Sequence, residues 1–271
     1  MNVGLLGCGH IAKALVRGWV RTEVAVAFDA QPASVRPKLF LYDVASAPAA
    51  ELADLAGGQV VDSVAELVVA SDLIVLAVRP QDAALALATL APVLGDRPVV
   101  SLAAGIKVGT LKAQLPQGAS VGRLMPNLNV AVGMGAMLFA EGSLGRHAPA
   151  VREVFALVGK VVTLDEALFD AATAVAGCGP GFVALFIEAL EAAGSEAGLP
   201  PAVSRELAQA AFTGTSLMVQ AEGDAGALKR AICSPGGMTA AGIAALEERA
   251  VPAAIAAAVQ AAVARAKELA S

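Results

Sequence analysis

The start of the chain carries the feature that most constrains its fold. A short apolar run, residues 1–6, leads directly into the sequence Gly7-Cys8-Gly9-His10-Ile11-Ala12, and a helical pattern follows. Gly7 permits a tight turn, Gly9 lets the backbone approach a pyrophosphate, and the small Ala12 lets the helix pack closely against the strand. The N-terminus of that helix attracts the anion. The pattern predicts a strand, a turn and a helix that together bind a dinucleotide.

Apolar runs that resemble strands alternate with helical segments through the first half. The run at 72–78 is nearly continuously apolar, as expected for a strand buried on both faces. Other strand-like runs lie at 39–42, 60–61, 98–102, 120–125, 133–139 and 160–164. This alternation predicts an α/β domain with a mainly parallel sheet, a Rossmann dinucleotide-binding domain over residues 1–163.

Three loops, at 79–81, 103–105 and 126–127, follow predicted strands and should share one edge of the sheet. In an open α/β sheet, ligands bind outside the carboxyl ends of the strands. We therefore expect these loops to lie beside the glycine motif. The candidate cofactor-binding residues of the motif and the loops are Gly7, Cys8, Gly9, His10, Ile11, Ala12, Ala77, Val78, Arg79, Pro80, Ala103, Ala104 and Asn127.

A Rossmann site also uses an acidic residue after its second strand, which binds the adenine ribose. Asp29 has the conventional spacing of about 20 residues from the glycine motif. Asp43 follows the run 39–42 and precedes a helical stretch, so strand, acid and helix come in order. We prefer Asp43, which makes residues 22–37 a long connection. A plain turn or a helix cap is the alternative for either aspartate.

The residues after Asp43 bear on the choice between NADPH and NADH. Val44, Ala45 and Ser46 bring no cation that could accept the 2′-phosphate of NADPH. An acidic residue at this position also repels that phosphate. The sequence therefore favours NADH slightly.

From Asp165 onward the strand signal fades and the chain becomes helical. Helices are predicted from about 182, over 202–221 and 224–232, after residue 237, and over 252–269. Much of their surface is uncharged, and apolar helix faces of this extent are usually covered by a partner. We expect residues 164–271 to form an all-helical substrate-binding and dimerisation domain of an obligate homodimer.

The sequence Ser234-Pro235-Gly236-Gly237 interrupts these helices. It has the order of a helix start, with Ser234 at the N-cap and Pro235 at the first helical position. The free N–H groups of such a helix end, beside two residues without side chains, would receive a small carboxylate or phosphate. Thr239 adds a hydroxyl one turn into the helix. The alternative is a corner between helices with glycines for clearance.

Composition and charge argue against several other classes. The net charge is −5, and no run of Lys and Arg suggests a nucleic-acid partner. The longest uncharged stretches contain Pro, Asn or Gly, so we expect no membrane-spanning helix. Three widely spaced cysteines and two histidines support neither a disulfide framework nor a metal site. A cytoplasmic protein is expected.

Taken together, the motifs resemble those of the pyrroline-5-carboxylate reductases. The matching sequences run in order along nearly the whole chain, at 7–12, 77–81, 103–106, 123–127, 177–180, 187–190 and 234–239. The Ser-Pro-Gly-Gly-x-Thr sequence at 234–239 is the most specific of them. The glycine motif at 7–12 is shared with many dehydrogenases.

The resemblance implies a Rossmann domain, a helical domain that forms an intertwined dimer or a larger homo-oligomer, and reduction of 1-pyrroline-5-carboxylate to L-proline. Hydride would pass from NADPH or NADH to the C=N carbon of this cyclic imino acid. By the same resemblance, Thr239 would hydrogen-bond the ring nitrogen as the catalytic residue. The other implied substrate-binding residues are Ser234, Gly236, Gly237, Met238 and Glu222.

Some positions depart from the family pattern. Leu128 and Asn129 stand where the family usually has Thr-Pro, Ala176 stands where it usually has Ser, and Gly181 where it usually has Ala. A related reductase of another cyclic imine, or of a small 2-keto or hydroxy acid with Lys229 as the catalytic lysine, is therefore the alternative. A nucleotide-binding dimer without enzymatic activity, sensing redox state through Cys178 or Cys233, is a third.

Overall fold

The computed structural model describes residues 1–21 and 36–270. Its contacts divide the chain into an N-terminal unit, Met1–Gly177 with Arg265–Ser271, and a C-terminal unit, Cys178–Ala264. The sequence placed the domain boundary earlier, between 163 and 164. The difference arises because the residues just after 163 pack on the sheet, where Phe169 is 1% exposed. Asp29, the alternative ribose-binding acid, lies outside the described residues.

The N-terminal unit is built on a sheet that has eight strands in the part of the chain that is described. The strands are β1 (Asn2–Leu6), β2 (Lys38–Tyr42), β3 (Gln59–Val60), β4 (Leu73–Leu76), β5 (Val99–Ser101), β6 (Val121–Met125), β7 (Gly135–Ala140) and β8 (Gly159–Thr163). Their order is β3-β2-β1-β4-β5-β6-β7-β8, and all neighbours are parallel except β6 and β7. The first six follow the Rossmann order, which confirms the predicted fold class.

Helices cover both faces of this sheet. They are α1 (His10–Val20), α2 (Ser46–Ala56), α3 (Val64–Ala70), α4 (Ala83–Leu90), α5 (Val108–Ala113), α6 (Ala148–Ala156) and α7 (Phe169–Ala176). Strand β4 contributes Leu73 and Val75 to one buried cluster, and Ile74 and Leu76 to the other. Burial on both faces explains why this strand is continuously apolar in sequence.

Helix α1 packs closely on the sheet unit, as the glycine motif predicts. Gly18 faces the 3-10 turn Leu128–Val132, and a Cβ there would overlap the carbonyl oxygen of Val130. At the next position Trp19 donates its indole N–H to the carbonyl of Val154 at 3.0 Å. These contacts fix α1, and with it the glycine motif at its N-terminus.

The C-terminal unit is helical, as predicted. Its helices are α8 (Gly179–Glu196), α9 (Pro201–Glu222), α10 (Ala225–Ile232), α11 (Met238–Glu248) and α12 (Val251–Ala270), whose last residues group with the N-terminal unit. Between 178 and 264, only three of the described side chains are buried, Ser204, Ala208 and Leu228. A single copy of this unit therefore has very little hydrophobic core of its own.

One stretch of the described chain, Glu166–Glu196, is long and apolar enough to cross a membrane, judged by length and composition alone. Only 6% of its most apolar window is buried. A single such stretch is weak evidence for a membrane span. It does show that α8 presents an apolar surface that the single chain leaves uncovered.

Candidate active site

The turn before α11 differs in detail from its prediction. The N–H of Gly237 donates to the carbonyl of Ser234 at 3.0 Å, and Gly236 has φ of +72°. With Pro235 second and a glycine of positive φ third, this is a type II turn. The prediction that Ser234 caps the helix and Pro235 begins it is wrong. The positive φ of Gly236 interrupts the helical backbone, so α11 begins at Met238 with Gly237 at its N-cap.

The N-terminus of α11 nevertheless keeps the properties of an anion site. Its N-cap, Gly237, has no side chain, and no described side chain caps the helix. The Oγ of Ser234 would lie 2.5 Å from a Cβ at Gly237, so the hydroxyl stands directly beside the helix end. Met238 and Thr239 are exposed. A serine hydroxyl, unpaired N–H groups and a threonine hydroxyl therefore meet at one solvent-accessible helix end.

Glu222, the remaining predicted substrate-binding residue, shows no bond to this turn in the described part of the chain. It is the exposed last residue of α9, and among the described residues no hydrogen bond or ion pair joins it to residues 234–239. Its assignment as a substrate-binding residue stays a prediction. Lys229, the lysine of the alternative hypothesis, is exposed on α10 with its Nζ 3.6 Å from Glu247 Oε1.

In the N-terminal unit, glycine stands at positions 7 and 9 of the motif for two different geometric reasons. Gly7 has φ of +99°, and a Cβ there would lie 2.9 Å from the carbonyl carbon and oxygen of Ala77. Gly9 is the N-cap of α1 with φ of −76°, and a Cβ there would meet nothing within 4 Å. Gly7 is required by the fold, whereas Gly9 keeps space open above the start of α1. The residues His10, Ile11 and Ala12 form the first turn of that helix.

Asp43 lies directly after β2 and contacts the glycine motif. Its Oδ2 accepts from the N–H of Cys8 at 2.8 Å, and its Oδ1 accepts from the N–H of Ala45 at 2.9 Å. The carboxylate thus joins the end of β2 to the turn after β1. The Cys8 thiol points inward, 5% exposed, with its Sγ 3.8 Å from the carbonyl of Tyr42. Burial, and then the Asp43 charge, raise the pKa of this thiol to about 12.

A cleft of about 400 Å³ opens at this edge of the sheet. Six of the predicted cofactor-binding residues line it, namely Gly7, Gly9, Asp43, Ala77, Val78 and Arg79. Sequence reasoning missed other lining residues, including Tyr42, Val64, Leu85 and Thr89. The signal that could have found them is their position at the end of β2 or on the helices after β3 and β4. The volume lies within the usual range for small-molecule sites, about 300–1,000 Å³.

Other predicted cofactor-binding residues do not line the cleft, and they differ in exposure. Pro80 begins a 3-10 turn, Ala103 is buried and Ala104 is exposed. Asn127 is 7% exposed, and its amide group makes two hydrogen bonds to the backbone of other residues. The amide donates to the carbonyl of Ala176 at 2.8 Å and accepts from the N–H of Ala136 at 3.2 Å. A cofactor contact by Asn127 stays a prediction.

These residues fit a dinucleotide. The open space at Gly9 admits a pyrophosphate against the N-terminus of α1, and Asp43 lies where a ribose-binding acid is expected. In the part of the chain that is described, no cluster of His, Cys, Asp or Glu could hold a metal ion. The fold and the cleft therefore define a dinucleotide-binding protein of the Rossmann class.

Comparisons with known proteins agree with this class and narrow it. Residues 2–105 match a family model described as NADP oxidoreductase, coenzyme F420-dependent, and residues 166–269 match one described as pyrroline-5-carboxylate reductase dimerisation. A pyrroline-5-carboxylate reductase from Arabidopsis thaliana is 35% identical, over 99% of this chain and 95% of that protein. The chain belongs to the pyrroline-5-carboxylate reductase family, and it is an NAD(P)H-dependent oxidoreductase.

Solved structures show the same similarity along the whole chain. A pyrroline carboxylate reductase from Plasmodium falciparum, with NADP bound, has a TM-score of 0.81 and 29% identity, covering 100% of this chain and 98% of that one. A pyrroline-5-carboxylate reductase from Coxiella burnetii has a TM-score of 0.86 and 25% identity, with the same coverage. The family identified from the sequence motifs is thus confirmed.

Proposed function

We propose that the protein reduces 1-pyrroline-5-carboxylate to L-proline with NAD(P)H. The observation that carries the proposal is the end of α11, where the hydroxyls of Ser234 and Thr239 meet unpaired backbone N–H groups. A substrate with one carboxylate next to a ring nitrogen matches these donors. Membership of the family supports the same reaction.

The residues of this helix end have distinct roles in the proposal. The hydroxyl of Ser234 and the N–H groups of Gly236 and Met238 hold the substrate carboxylate, which the positive end of the α11 dipole also attracts, while the N–H of Gly237 donates to the carbonyl of Ser234 within the turn. Thr239, one residue further, hydrogen-bonds the ring nitrogen. That bond orients the imine and stabilises the nitrogen as the C=N bond becomes a C–N bond.

Hydride transfer to the imine requires few other groups from the protein. A protonated imine is already an electrophile, so no covalent nucleophile is needed. NAD(P)H supplies the hydride when it is bound. The protein must hold the imine carbon about 3–3.5 Å from the hydride donor, and a rigid helix end suits that positioning task.

Thr239→Ala tests the role of the hydroxyl, with Thr239→Ser as the matched control. We expect kcat/KM for 1-pyrroline-5-carboxylate to fall about 100-fold in the alanine variant and to stay within about tenfold in the serine variant. A panel that includes other cyclic imines and small 2-keto acids should show the highest kcat/KM for 1-pyrroline-5-carboxylate. Full activity of Thr239→Ala would remove Thr239 from the mechanism, and a preference for a keto acid would refute the proposed substrate.

For the cofactor we propose a preference for NADH. The reason is the Asp43 carboxylate at the mouth of the cleft, followed by the exposed Val44. Among the described residues that line the cleft, Arg79 is the only cation, and its Nε already lies 2.8 Å from Asp82. Asp43→Asn keeps an acceptor for the N–H of Cys8 and removes the charge. It should shift the ratio of kcat/KM values towards NADPH by about tenfold, and an unchanged ratio contradicts the proposal.

We propose further that the C-terminal unit pairs with a second copy of the chain. Helix α8 has no buried residue, and it exposes Leu185 (63%), Phe186 (37%) and Leu190 (47%). The family model over 166–269 describes a dimerisation domain. Leu185→Asp should convert the oligomer to monomers in sedimentation analysis. The matched control is Val69→Asp, at an exposed position on α3 of the N-terminal unit, which should leave the oligomer intact. A larger homo-oligomer and a cytoplasmic location stay predictions.

A further inference from the structure

A partly buried ion pair lies within the N-terminal unit, away from the cleft. Arg123 on β6 is 6% exposed, and its Nη1 lies 3.0 Å from Oε1 of Glu166, which begins the 3-10 turn before α7. The guanidinium also stacks 4.5 Å from the ring centre of Phe169. Its Nε has no hydrogen-bond partner among the described residues. Glu166 is therefore the main group that compensates the buried charge.

The same carboxylate also holds the start of α5. Oε1 and Oε2 of Glu166 accept from the backbone N–H of Val108, at 2.9 and 3.2 Å. Val108 is the first residue of α5, and the loop 102–107 connects it to β5. A carboxylate at this position satisfies an N–H that the helix itself leaves without a partner. Glu166 thus fixes one end of the β5–α5 loop, and β5 fixes the other.

This loop lies on the half of the sheet where the nicotinamide half of a dinucleotide belongs. The cleft with Asp43 lies beside β1 and β2, and a dinucleotide crosses the point between β1 and β4 where the strand order reverses. Its second half therefore extends over the carboxyl ends of β4, β5 and β6. Ala104 and Gly105, at the tip of the β5–α5 loop, are exposed there, and Gly105 has φ of +77°.

Stability alone is a poor explanation for this ion pair. Taking the Arg123 charge out of water is costly, and well-packed apolar residues of similar volume are often as stable as such a pair or more stable. What an apolar pair cannot supply is an acceptor for the N–H of Val108. We infer that Glu166, held in place by Arg123, is a positioning residue for the β5–α5 loop. Through this loop it favours binding of the nicotinamide half of NAD(P)H. The inference rests on the proposed use of this cofactor.

Two double variants separate the acceptor from the charge. Arg123→Met/Glu166→Gln removes both charges and keeps an oxygen that can accept from Val108, whereas Arg123→Met/Glu166→Leu removes the acceptor as well. Both retain a side chain of suitable volume against Phe169. Glu141→Gln, which breaks the more exposed pair with Arg152 at 2.9 Å, is the control for loss of an ion pair elsewhere.

The measurement is equilibrium binding by calorimetry, with NADH and with ADP-ribose, which lacks the nicotinamide. For the Gln double variant and for the control, we expect both dissociation constants to stay within about twofold of the wild type. For the Leu double variant, the dissociation constant of NADH should rise about five- to tenfold while that of ADP-ribose is unchanged. Unchanged NADH binding in the Leu double variant, or an equal loss for both ligands, overturns the inference.

A single variant removes the donor of the hydrogen bond between Val108 and Glu166 instead of its acceptor. Val108→Pro removes the N–H, and the Cδ of the proline takes the place of that hydrogen and displaces the Glu166 carboxylate from the start of α5. Proline is tolerated at the first position of a helix, and Lys107, with φ of −75° and ψ of 153°, has the backbone that precedes a proline. It should weaken NADH and not ADP-ribose to the same extent as the Leu double variant, and NADH binding at the wild-type level contradicts the inference. These measurements need no imine turnover, so they decide the inference even if the proposed substrate is wrong.

Discussion

Gly9→Ala should separate binding from stability more cleanly than any other change in the cleft. Gly9 has φ of −76° and ψ of −166°, an extended backbone that alanine adopts without strain. The added Cβ meets no atom within 4 Å. We therefore expect the free energy of unfolding to stay within about 0.5 kcal/mol of the wild type. Because the new methyl group projects into open space at the cleft, it blocks the close approach of the pyrophosphate.

The expected loss of affinity is at least about tenfold for both NADH and ADP-ribose, which corresponds to about 1.4 kcal/mol. Calorimetry measures the affinity, and urea denaturation measures the stability. Gly7→Ala is the matched comparison, because its φ of +99° and its approach to the backbone of Ala77 predict a loss of about 2–4 kcal/mol in stability. The reasoning is refuted if Gly9→Ala binds NADH as tightly as the wild type, or if it unfolds as easily as Gly7→Ala.

Three further predictions concern the N-terminal unit. Gly18→Ala should lower stability by about 1–3 kcal/mol in urea denaturation, because its Cβ overlaps the carbonyl of Val130; wild-type stability would contradict this packing. Asn127→Ala should cost about 1–3 kcal/mol by the same assay, since it leaves a partly buried N–H and a partly buried carbonyl without this partner; a loss below about 0.5 kcal/mol would argue against this role. The raised pKa of Cys8 means that the unfolded thiol loses its proton above its ordinary value of 9.0 while the folded thiol keeps its proton up to about 12. Stability should therefore fall as pH rises through this window, and less so in Cys8→Ala; equal slopes for both proteins would refute it.

Much of the fold could be predicted from local sequence because its signals are local. A strand buried on both faces must be apolar at every position, and β4 is. The turn after β1 needs a positive φ at its first glycine, and Gly7 has one. Asp43 was preferred to Asp29 because strand, acid and helix came in order, and the structure has β2, Asp43 and α2 in that order.

Other features depend on contacts between residues far apart in the chain. The start of α11 was misplaced because Ser-Pro at a helix start and Pro-Gly in a type II turn use the same residues, and only the φ of Gly236 distinguishes them. Asn127 was predicted to bind the cofactor, and nothing in the sequence indicated that its amide also pairs with Ala136 and Ala176, the latter 49 residues away. Neither partner carries a sequence signal for this bond.

The sequence by itself determined the class of fold, the family and the glycine motif, because backbone torsions and burial restrict which residue types can stand at neighbouring positions. Tertiary structure alone decided that Glu166 binds both Arg123 and the N–H of Val108. Glu166 is 43 residues from Arg123 and 58 residues from Val108 in sequence. Almost any residue type can supply a backbone N–H, so this hydrogen bond does not restrict the residue at position 108. A bond of this kind can be found only once the folded chain has brought its partners together.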